Sequence, residues 1–326
     1  IEGLLELVVA GRIRPGGQHR QRGQGRGAGR VAARRDRAVG PLLVAEEQDG
    51  IVDGPANPLG SEQFDGRVVG RTTSGASHLP ERRLGCEQRR YGGQDERVIV
   101  GPRVGEDAAY VHITPNETIG GVEFHGVPDV GDVPLVADVS STILSRPLAV
   151  DRHACFYAGA QKNMGPAGVT VVVVRRDLLG RARADTPMAI DYTKQAKAGS
   201  MLNTPPCWAW YVCGLVFRHL LDAGGLEAMG RINQRKAGKL YGYLDASGFY
   251  ANPVDPEARS WMNVPFLLAR DELDKTFLAE AEAAGLHGLK GHRSVGGMRA
   301  SIYNATTEAA VDTLISFLQD FAARNA

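Results

Sequence analysis

The sequence has little of what marks secreted, membrane or nucleic-acid-binding proteins. Its four cysteines lack any CxxC spacing, which argues against a disulfide framework or a zinc site and predicts reduced thiols in a cytoplasmic protein. No apolar run approaches the roughly 20 residues that cross a bilayer. Glu2 and Glu6 stand where a signal peptide would be basic, so no targeting segment is predicted. A formal net charge of +1 gives no case for a membrane or nucleic-acid partner of the whole chain.

Lysine and tryptophan are absent from residues 1–105, which hold 17 arginines and 20 glycines. Apolar residues in this region follow neither the helix nor the strand period for long. Three interpretations stay open: a GC-rich gene translated in a wrong frame, a divergent part of the large domain, or an arginine-rich arm that neutralises phosphates. The 13 acidic residues of the same region argue against the arm, and no nucleic-acid partner is predicted.

From Glu106 onward the pattern becomes regular and predicts an α/β fold. Apolar, β-rich runs predict buried strands, and they lie at 134–139, 155–160 and 169–174. The later elements alternate, with helices at 205–224, 226–247, 271–284 and 307–324 and strands at 262–268 and 298–303. This organisation predicts a large domain over residues 106–222 and a small C-terminal domain over residues 223–326.

Lys162 stands alone between two predicted strands, in the stretch YAGAQKNMGPAG at 157–168. No lysine or arginine occurs in the nine positions before it or the twelve after it. A solvated surface turn is the simpler interpretation, because burying an ammonium group is costly. The alternative is a lysine of lowered pKa in a dry pocket, where its amine acts as a nucleophile and proton shuttle.

Other polar residues lie near the ends of predicted elements. Asp138 interrupts the apolar run LVADV, either as a cap of a turn or as a buried charge. Thr118 follows another strand in PNET, and Thr204 precedes a helix of which it is a candidate N-cap. Pyridoxal phosphate needs a set of this kind: a lysine for a Schiff base, an acid at the ring nitrogen, and hydroxyl and amide donors for its phosphate.

Three long stretches resemble the phosphoserine aminotransferase family: VADVSSTILSRPLAVDRHACFYAGAQKNMGPAGVTVVVVRRDLLG, GSMLNTPPCWAWYVCGLVF and KGHRSVGGMRASIYNA. The resemblance covers about residues 106–326. It implies the α/β architecture of pyridoxal-phosphate fold type I, with a large mixed-sheet domain plus a smaller C-terminal α/β domain. It also implies pyridoxal 5'-phosphate as cofactor and a cytoplasmic homodimer with shared active sites.

The activity that the resemblance implies is transamination between glutamate and 3-phosphooxypyruvate in serine biosynthesis. In many bacteria the family also acts in pyridoxine biosynthesis. Two alternatives stay open, a catalytically impaired fragment of that enzyme and another small-substrate aminotransferase of fold type I.

Cofactor-binding roles carry over to matching positions. By resemblance, Lys162 forms the Schiff base, Asp138 pairs with the pyridine nitrogen, and Thr118 lies near the ring hydroxyl. Gln161 resembles a residue that contacts the cofactor phosphate. Asn203 and Thr204 resemble a pair of residues that reach the cofactor phosphate held by the other subunit.

Substrate-binding roles carry over to KGHRSVGGMR. Arg299 matches an arginine that holds the substrate α-carboxylate, and a guanidinium can grip a carboxylate through two parallel hydrogen bonds. His292 and Arg293 resemble residues that meet the substrate phosphate or distal carboxylate. Without the resemblance, Arg293 would be interpreted as a solvated surface charge.

Residues 1–105 depart from the family. An opening Ser-Gly-Pro-Ala segment, a His-Arg substrate motif, a Gly-Arg-Gly phosphate loop and a tryptophan that stacks on the cofactor have no counterpart there. The run GQGRGAG at 23–29 resembles the phosphate loop only superficially and is given no role. If these residues belong to the domain, part of the cofactor pocket is missing or rebuilt.

Overall fold

A computed structural model describes residues 39–45, 86–91, 94–99, 108–293 and 295–325. The strands are β1 (Val39–Ala45), β2 (Cys86–Tyr91), β3 (Gln94–Ile99), β4 (Val111–Ile113), β5 (Asn116–Glu117), β6 (Val122–Glu123), β7 (Leu135–Asp138), β8 (Cys155–Gly159), β9 (Thr170–Arg175), β10 (Tyr250–Ala251), β11 (Asn263–Leu268) and β12 (Met298–Ser301). The α-helices are α1 (Tyr192–Lys197), α2 (Cys207–Asp222), α3 (Gly225–Ala246), α4 (Asp274–Ala283) and α5 (Glu308–Asn325). Short 3-10 turns occupy Val150–Arg152, Arg176–Leu178, Met188–Ile190, Pro256–Ala258 and Asp271–Leu273.

A mixed sheet with the strand order β1-β9-β8-β7-β4 forms the centre of the first half of the described chain. Strands β4, β7 and β8 run parallel, whereas β9 and β1 are each antiparallel to their neighbours. The predicted strands at 134–139, 155–160 and 169–174 are therefore confirmed within a residue or two at each end. Two further hairpins, β2–β3 and β5–β6, pair outside this sheet.

The two faces of the mixed sheet differ in chemistry because side chains alternate along a strand. One face carries buried apolar residues, including Val111, Ala137 and Phe156, and it packs against the buried side of α2. The other face carries His112, Asp138 and Tyr157, which are only partly buried. The register places Asp138 beside Tyr157 on adjacent parallel strands, so titratable groups gather on one face of the sheet.

A second core lies around the antiparallel sheet β10-β11-β12 and the helices α3, α4 and α5. It is rich in aromatic rings in edge-to-face contact, such as Phe277 with Phe266 and Phe321. The two cores divide within α3, since Met229 packs in the first and Ala237 in the second. The predicted α/β alternation of this half is confirmed, and the domain division at residue 222 stays a prediction.

Helix α2 begins at Cys207, and Pro206 is its N-cap without a side-chain hydrogen bond. The interpretation of Thr204 as the N-cap was therefore wrong, because two prolines separate it from the first helical residue. One face of α2 is a solvent-exposed apolar ridge, consisting of Trp208 (73% exposed), Tyr211 (61%) and Leu215 (49%). Among the described residues, no helix is both long and apolar enough to cross a membrane.

Candidate active site

A tight turn between β8 and β9 presents Lys162. Ala160 N–H donates to Val169 C=O at 2.9 Å, and the N–H groups of Met164 and Gly165 both donate to Ala160 C=O. Gly165 has a φ of 155°, which favours glycine, and it approaches α2 so closely that an added Cβ would lie 3.0 Å from Cys213 Sγ. The turn is thus fixed on both sides of Lys162.

Lys162 is half-buried, and its Nζ donates to Thr118 Oγ1 at 2.9 Å. Burial lowers the pKa of the amine, and the positive charge of Arg299 lowers it further. The charges of Asp138 and Glu117 oppose this shift. Lys162 is therefore not a solvated side chain of a surface turn, and its surroundings favour the neutral, nucleophilic amine.

Thr118 is held by the β5–β6 hairpin. The Glu117 carboxylate accepts hydrogen bonds from the N–H of Ile119, at 2.9 Å, and from that of Gly120. Next to it, the fully buried Asn116 donates through Nδ2 to Asn263 Oδ1 at 3.0 Å. The hairpin that carries the Thr118 hydroxyl is consequently anchored to a strand of the second core, with Asn263 147 residues beyond Asn116.

Asp138 is the last residue of β7 and is half-buried. Its Oδ1 accepts the Ser140 N–H at 2.9 Å, so it does cap a turn. Its charge also acts on Lys162, His112 and Tyr157. The carboxylate therefore combines the two roles that the sequence left open.

Two residues that the sequence did not suggest lie beside Asp138. His112 Nε2 and the Tyr157 hydroxyl are 3.0 Å apart. Burial raises the pKa of Tyr157 to about 12, with Asp138 adding to the shift. Burial lowers the pKa of His112, while Asp138 opposes that change. The feature of the sequence that could have indicated His112 and Tyr157 is a polar side chain within an otherwise apolar strand.

Arg299 lies on β12 and approaches the site from the second core. Its Nη1 donates to Thr118 C=O at 3.4 Å. Its Nε is buried without a hydrogen-bond partner among the described residues. A buried guanidinium donor without an acceptor is costly, and a substrate carboxylate would satisfy it. The sequence also missed Tyr303, whose hydroxyl hydrogen-bonds with Thr118 and Asn263.

Lys162, Thr118, Asp138 and Arg299 are thus brought together. Gln161 is exposed directly beside Lys162. Its side-chain amide lies over Gly159, where an added Cβ would be 2.5 Å from Gln161 Oε1.

The other four predicted site residues are all exposed and belong to two further segments. Asn203 and Thr204 belong to the segment before α2, where Asn203 Nδ2 donates to Thr204 C=O at 3.3 Å. His292 and Arg293 belong to the turn before β12, which the Gly291 N–H to Gly297 C=O bond closes at 2.9 Å. The glycine-rich run at 23–29 lies outside the described residues.

Comparisons with known proteins identify similar chains. A model of the aminotransferase class-V family matches residues 99–314. A phosphoserine aminotransferase of Hahella chejuensis is 63% identical over 224 residues, which are 69% of this chain and 62% of that protein.

Two solved structures show the same similarity. A phosphoserine aminotransferase from Bacillus circulans subsp. alkalophilus is 45% identical with a TM-score of 0.67, covering 69% of this chain and 62% of that one. A pyridoxal-phosphate-bound phosphoserine aminotransferase from Trichomonas vaginalis is 41% identical with a TM-score of 0.64, covering 67% and 62%. The chain spans about 62% of the length of the relatives it matches.

Proposed function

The chain belongs to the aminotransferase class-V family, and we propose that it transfers an amino group between glutamate and 3-phosphooxypyruvate, giving 2-oxoglutarate and phosphoserine. Enzymes of this class depend on pyridoxal phosphate and act on small molecules. The proposed place of the reaction is serine biosynthesis, and a role in pyridoxine biosynthesis is proposed beside it. The observation that carries the proposal is the half-buried Lys162 amine, 2.9 Å from Thr118 Oγ1 and between the charges of Asp138 and Arg299.

The described residues fit the ring end of pyridoxal phosphate. A lysine of lowered pKa, a hydroxyl and a carboxylate are the donor set that this ring requires, and Lys162, Thr118 and Asp138 supply it. Gln161, which is exposed directly beside Lys162, is proposed to contact the phosphate. Asn203 and Thr204 face solvent, which suits the proposal that they reach a phosphate held by a second copy of the chain.

The chemistry divides among the residues of this chain. When bound, pyridoxal phosphate supplies a carbonyl carbon and an electron-accepting ring. Lys162 would hold the cofactor through its neutral amine, and the same amine, when free, would carry the proton of the donor Cα. The carboxylate of Asp138 holds a proton on the ring nitrogen. The Thr118 hydroxyl accepts a hydrogen bond from Lys162 and so fixes where the amine points.

Charges around the site support a dicarboxylate or phosphorylated substrate. Arg299 offers a buried Nε without an acceptor among the described residues, and one guanidinium can hold an α-carboxylate. His292 and Arg293 are proposed to meet the distal phosphate or carboxylate, since two donor groups suit a dianion. This charge pattern disfavours an aminotransferase for apolar side chains.

A second copy of the chain is the proposed partner. The apolar ridge of Trp208, Tyr211 and Leu215 on α2 is exposed, and exposed aromatic clusters of this kind mark interfaces. Asn203 and Thr204 lie just before the same helix, so a copy that covers the ridge would also bring this pair near a neighbouring site. The proposed assembly is therefore a homodimer with shared active sites.

The test is the visible absorption spectrum of the full chain with added pyridoxal phosphate, before and after glutamate. A protein-bound band that glutamate converts to the pyridoxamine form supports the proposal. A band that alanine converts as well as glutamate does would indicate another aminotransferase of the same fold. A spectrum of free cofactor that glutamate leaves unchanged would overturn the activity and identify a catalytically impaired fragment.

A further inference from the structure

A group of buried polar side chains lies behind the Lys162 turn, outside the site described above. Asn163, the neighbour of Lys162, donates through Nδ2 to Ile143 C=O at 3.0 Å. Its Oδ1 accepts the Asn304 N–H at 3.0 Å. Asn304 in turn donates through Nδ2 to Leu144 C=O at 2.9 Å. These bonds tie the Lys162 turn to the segment after Asp138 and to the segment after β12.

Helix α3 closes the group from the other side. Asn233 donates through Nδ2 to Ser145 C=O at 2.9 Å and to Asn304 Oδ1 at 2.8 Å. One turn later, Lys236 donates through Nζ to the carbonyl oxygens of Ile302, Tyr303 and Thr306, at 3.1, 2.9 and 2.8 Å. Both side chains have no solvent exposure.

These contacts join three segments that lie close in the chain to the site residues Asp138, Lys162 and Arg299. The carbonyls of 143–145 follow the turn that Asp138 caps, Asn163 adjoins Lys162, and the 302–306 segment follows the strand that carries Arg299. Each of these segments lies outside the strands, so the hydrogen bonds between them constrain how the three site residues stand relative to one another.

A contribution to stability does not explain why these buried side chains are polar. Buried amides and an ammonium group are expensive to desolvate, and apolar residues of similar volume are often as stable or more so. Asn233 Oδ1 even remains buried without a partner among the described residues. What such a network does provide is a single geometry, because each donor must meet its acceptor.

We propose that Asn163, Asn233, Lys236 and Asn304 form a polar junction that positions Lys162 against Arg299. The four are positioning residues, since none of them is among the residues assigned to cofactor or substrate. The role of the junction in transamination rests on the proposed function. The position of Lys162 that it sets can be measured on the full chain without cofactor.

The sequence offers a direct measurement. Lys162 is the only lysine between Arg152 and Arg175, so a single tryptic peptide reports acylation of its amine. Trace labelling with acetic anhydride at a series of pH values then gives the titration midpoint of Lys162 by mass spectrometry. Lys236→Met removes three hydrogen bonds of the junction, and Asn304→Leu removes the side-chain bonds to Leu144 C=O and from Asn233 Nδ2 without adding a charge.

A loosened junction should let Lys162 move toward water and away from Arg299, which raises its midpoint. We therefore expect Lys236→Met to shift the midpoint to higher pH, with severalfold less neutral amine at pH 8. Asn304→Leu should shift it less, in the same direction. Lys239→Met is the matched control, because Lys239 lies one turn along α3 and pairs with Asp312 on the surface; its Lys162 midpoint should equal that of the unchanged chain.

An unchanged Lys162 midpoint in a Lys236→Met chain that still unfolds cooperatively would overturn the proposal. The junction would then contribute to stability without positioning Lys162. If Lys236→Met does not fold, Asn304→Leu decides by the same criterion. Because labelling needs no cofactor, a failure of the proposed activity would appear only in the absorption test on the unchanged chain.

Discussion

Lys162 and Lys236 are both withdrawn from water, yet their surroundings differ. Lys236 is fully buried, and its ammonium group donates to three backbone carbonyls. Lys162 is half-buried and donates to one hydroxyl, with Arg299 repelling its charge. Burial lowers the pKa of both amines. Burial alone therefore does not make a lysine reactive. The amine of a buried lysine is available for chemistry only when few hydrogen bonds hold it in place.

The largest effect is expected when the amine of Lys162 is removed. Lys162→Ala leaves no nucleophile and no proton carrier at Cα, so we expect the half-reaction with glutamate to fall by about 10³-fold or more. The measurement is the rate of the absorbance change when glutamate is added to the chain with pyridoxal phosphate. Lys239→Ala should keep the rate of the unchanged chain. A Lys162→Ala chain that still converts the cofactor would assign the role to another residue.

The next test concerns Lys236, whose ammonium group is held by three hydrogen bonds. Burial lowers the pKa of Lys236 from 10.5 to about 8. Between these pH values the unfolded chain still holds a proton that the folded chain has released, so raising the pH favours the folded state. The free energy of unfolding should rise by up to about 3 kcal/mol more in the unchanged chain than in Lys236→Met between pH 8 and 10.5.

Urea unfolding of both chains at the two pH values measures this difference. Three carbonyl acceptors favour the charged form and act against the shift. An equal pH dependence in the two chains would therefore show that the acceptors fully compensate for burial.

A third test removes the charge that distinguishes the two lysines. Arg299→Gln deletes the charged fork that the proposed function assigns to the α-carboxylate, and we expect kcat/KM for glutamate to fall about 30-fold. Arg299→Lys keeps the charge without the fork and should lie between the two. Equal kcat/KM in Arg299→Gln and the unchanged chain would place the carboxylate elsewhere.

The smallest expected effects are shifts of the Lys162 titration. Arg299 lowers the pKa of Lys162, and Asp138 raises it. Removing each charge should therefore move the labelling midpoint in opposite directions, upward in Arg299→Gln and downward in Asp138→Asn. Two shifts of the same sign would contradict the electrostatic account and indicate a change in exposure instead.

Much of the fold could be predicted from the sequence because local patterns specify it. The apolar runs around Asp138 and Lys162 form strands where the pattern indicated, and the resemblance to phosphoserine aminotransferases is confirmed over most of residues 106–326. The start of α2 was predicted less well: the signal of Thr204 was a common capping residue, but the two following prolines delay the helix to Cys207.

The relations between segments could not be predicted in the same way. His112 and Tyr157 meet only through the sheet register, and Tyr303 reaches Thr118 from the segment that follows β12. Asn233 and Lys236 occupy positions where the buried stripe of α3 would continue between Met229 and Leu240. A polar residue in an apolar stripe was the available signal, but its partners are backbone carbonyls, which no residue type reveals.

The separation of partners along the chain has a consequence for the order of folding. The turn that carries Lys162 joins two neighbouring antiparallel strands, so it can form early from local contacts. The bond from Lys162 to Thr118 spans 44 residues, and that from Arg299 to Thr118 spans 181. Contacts this distant close late. On refolding from urea, the lysine turn should therefore form before the site does, and on partial unfolding the reverse order should hold.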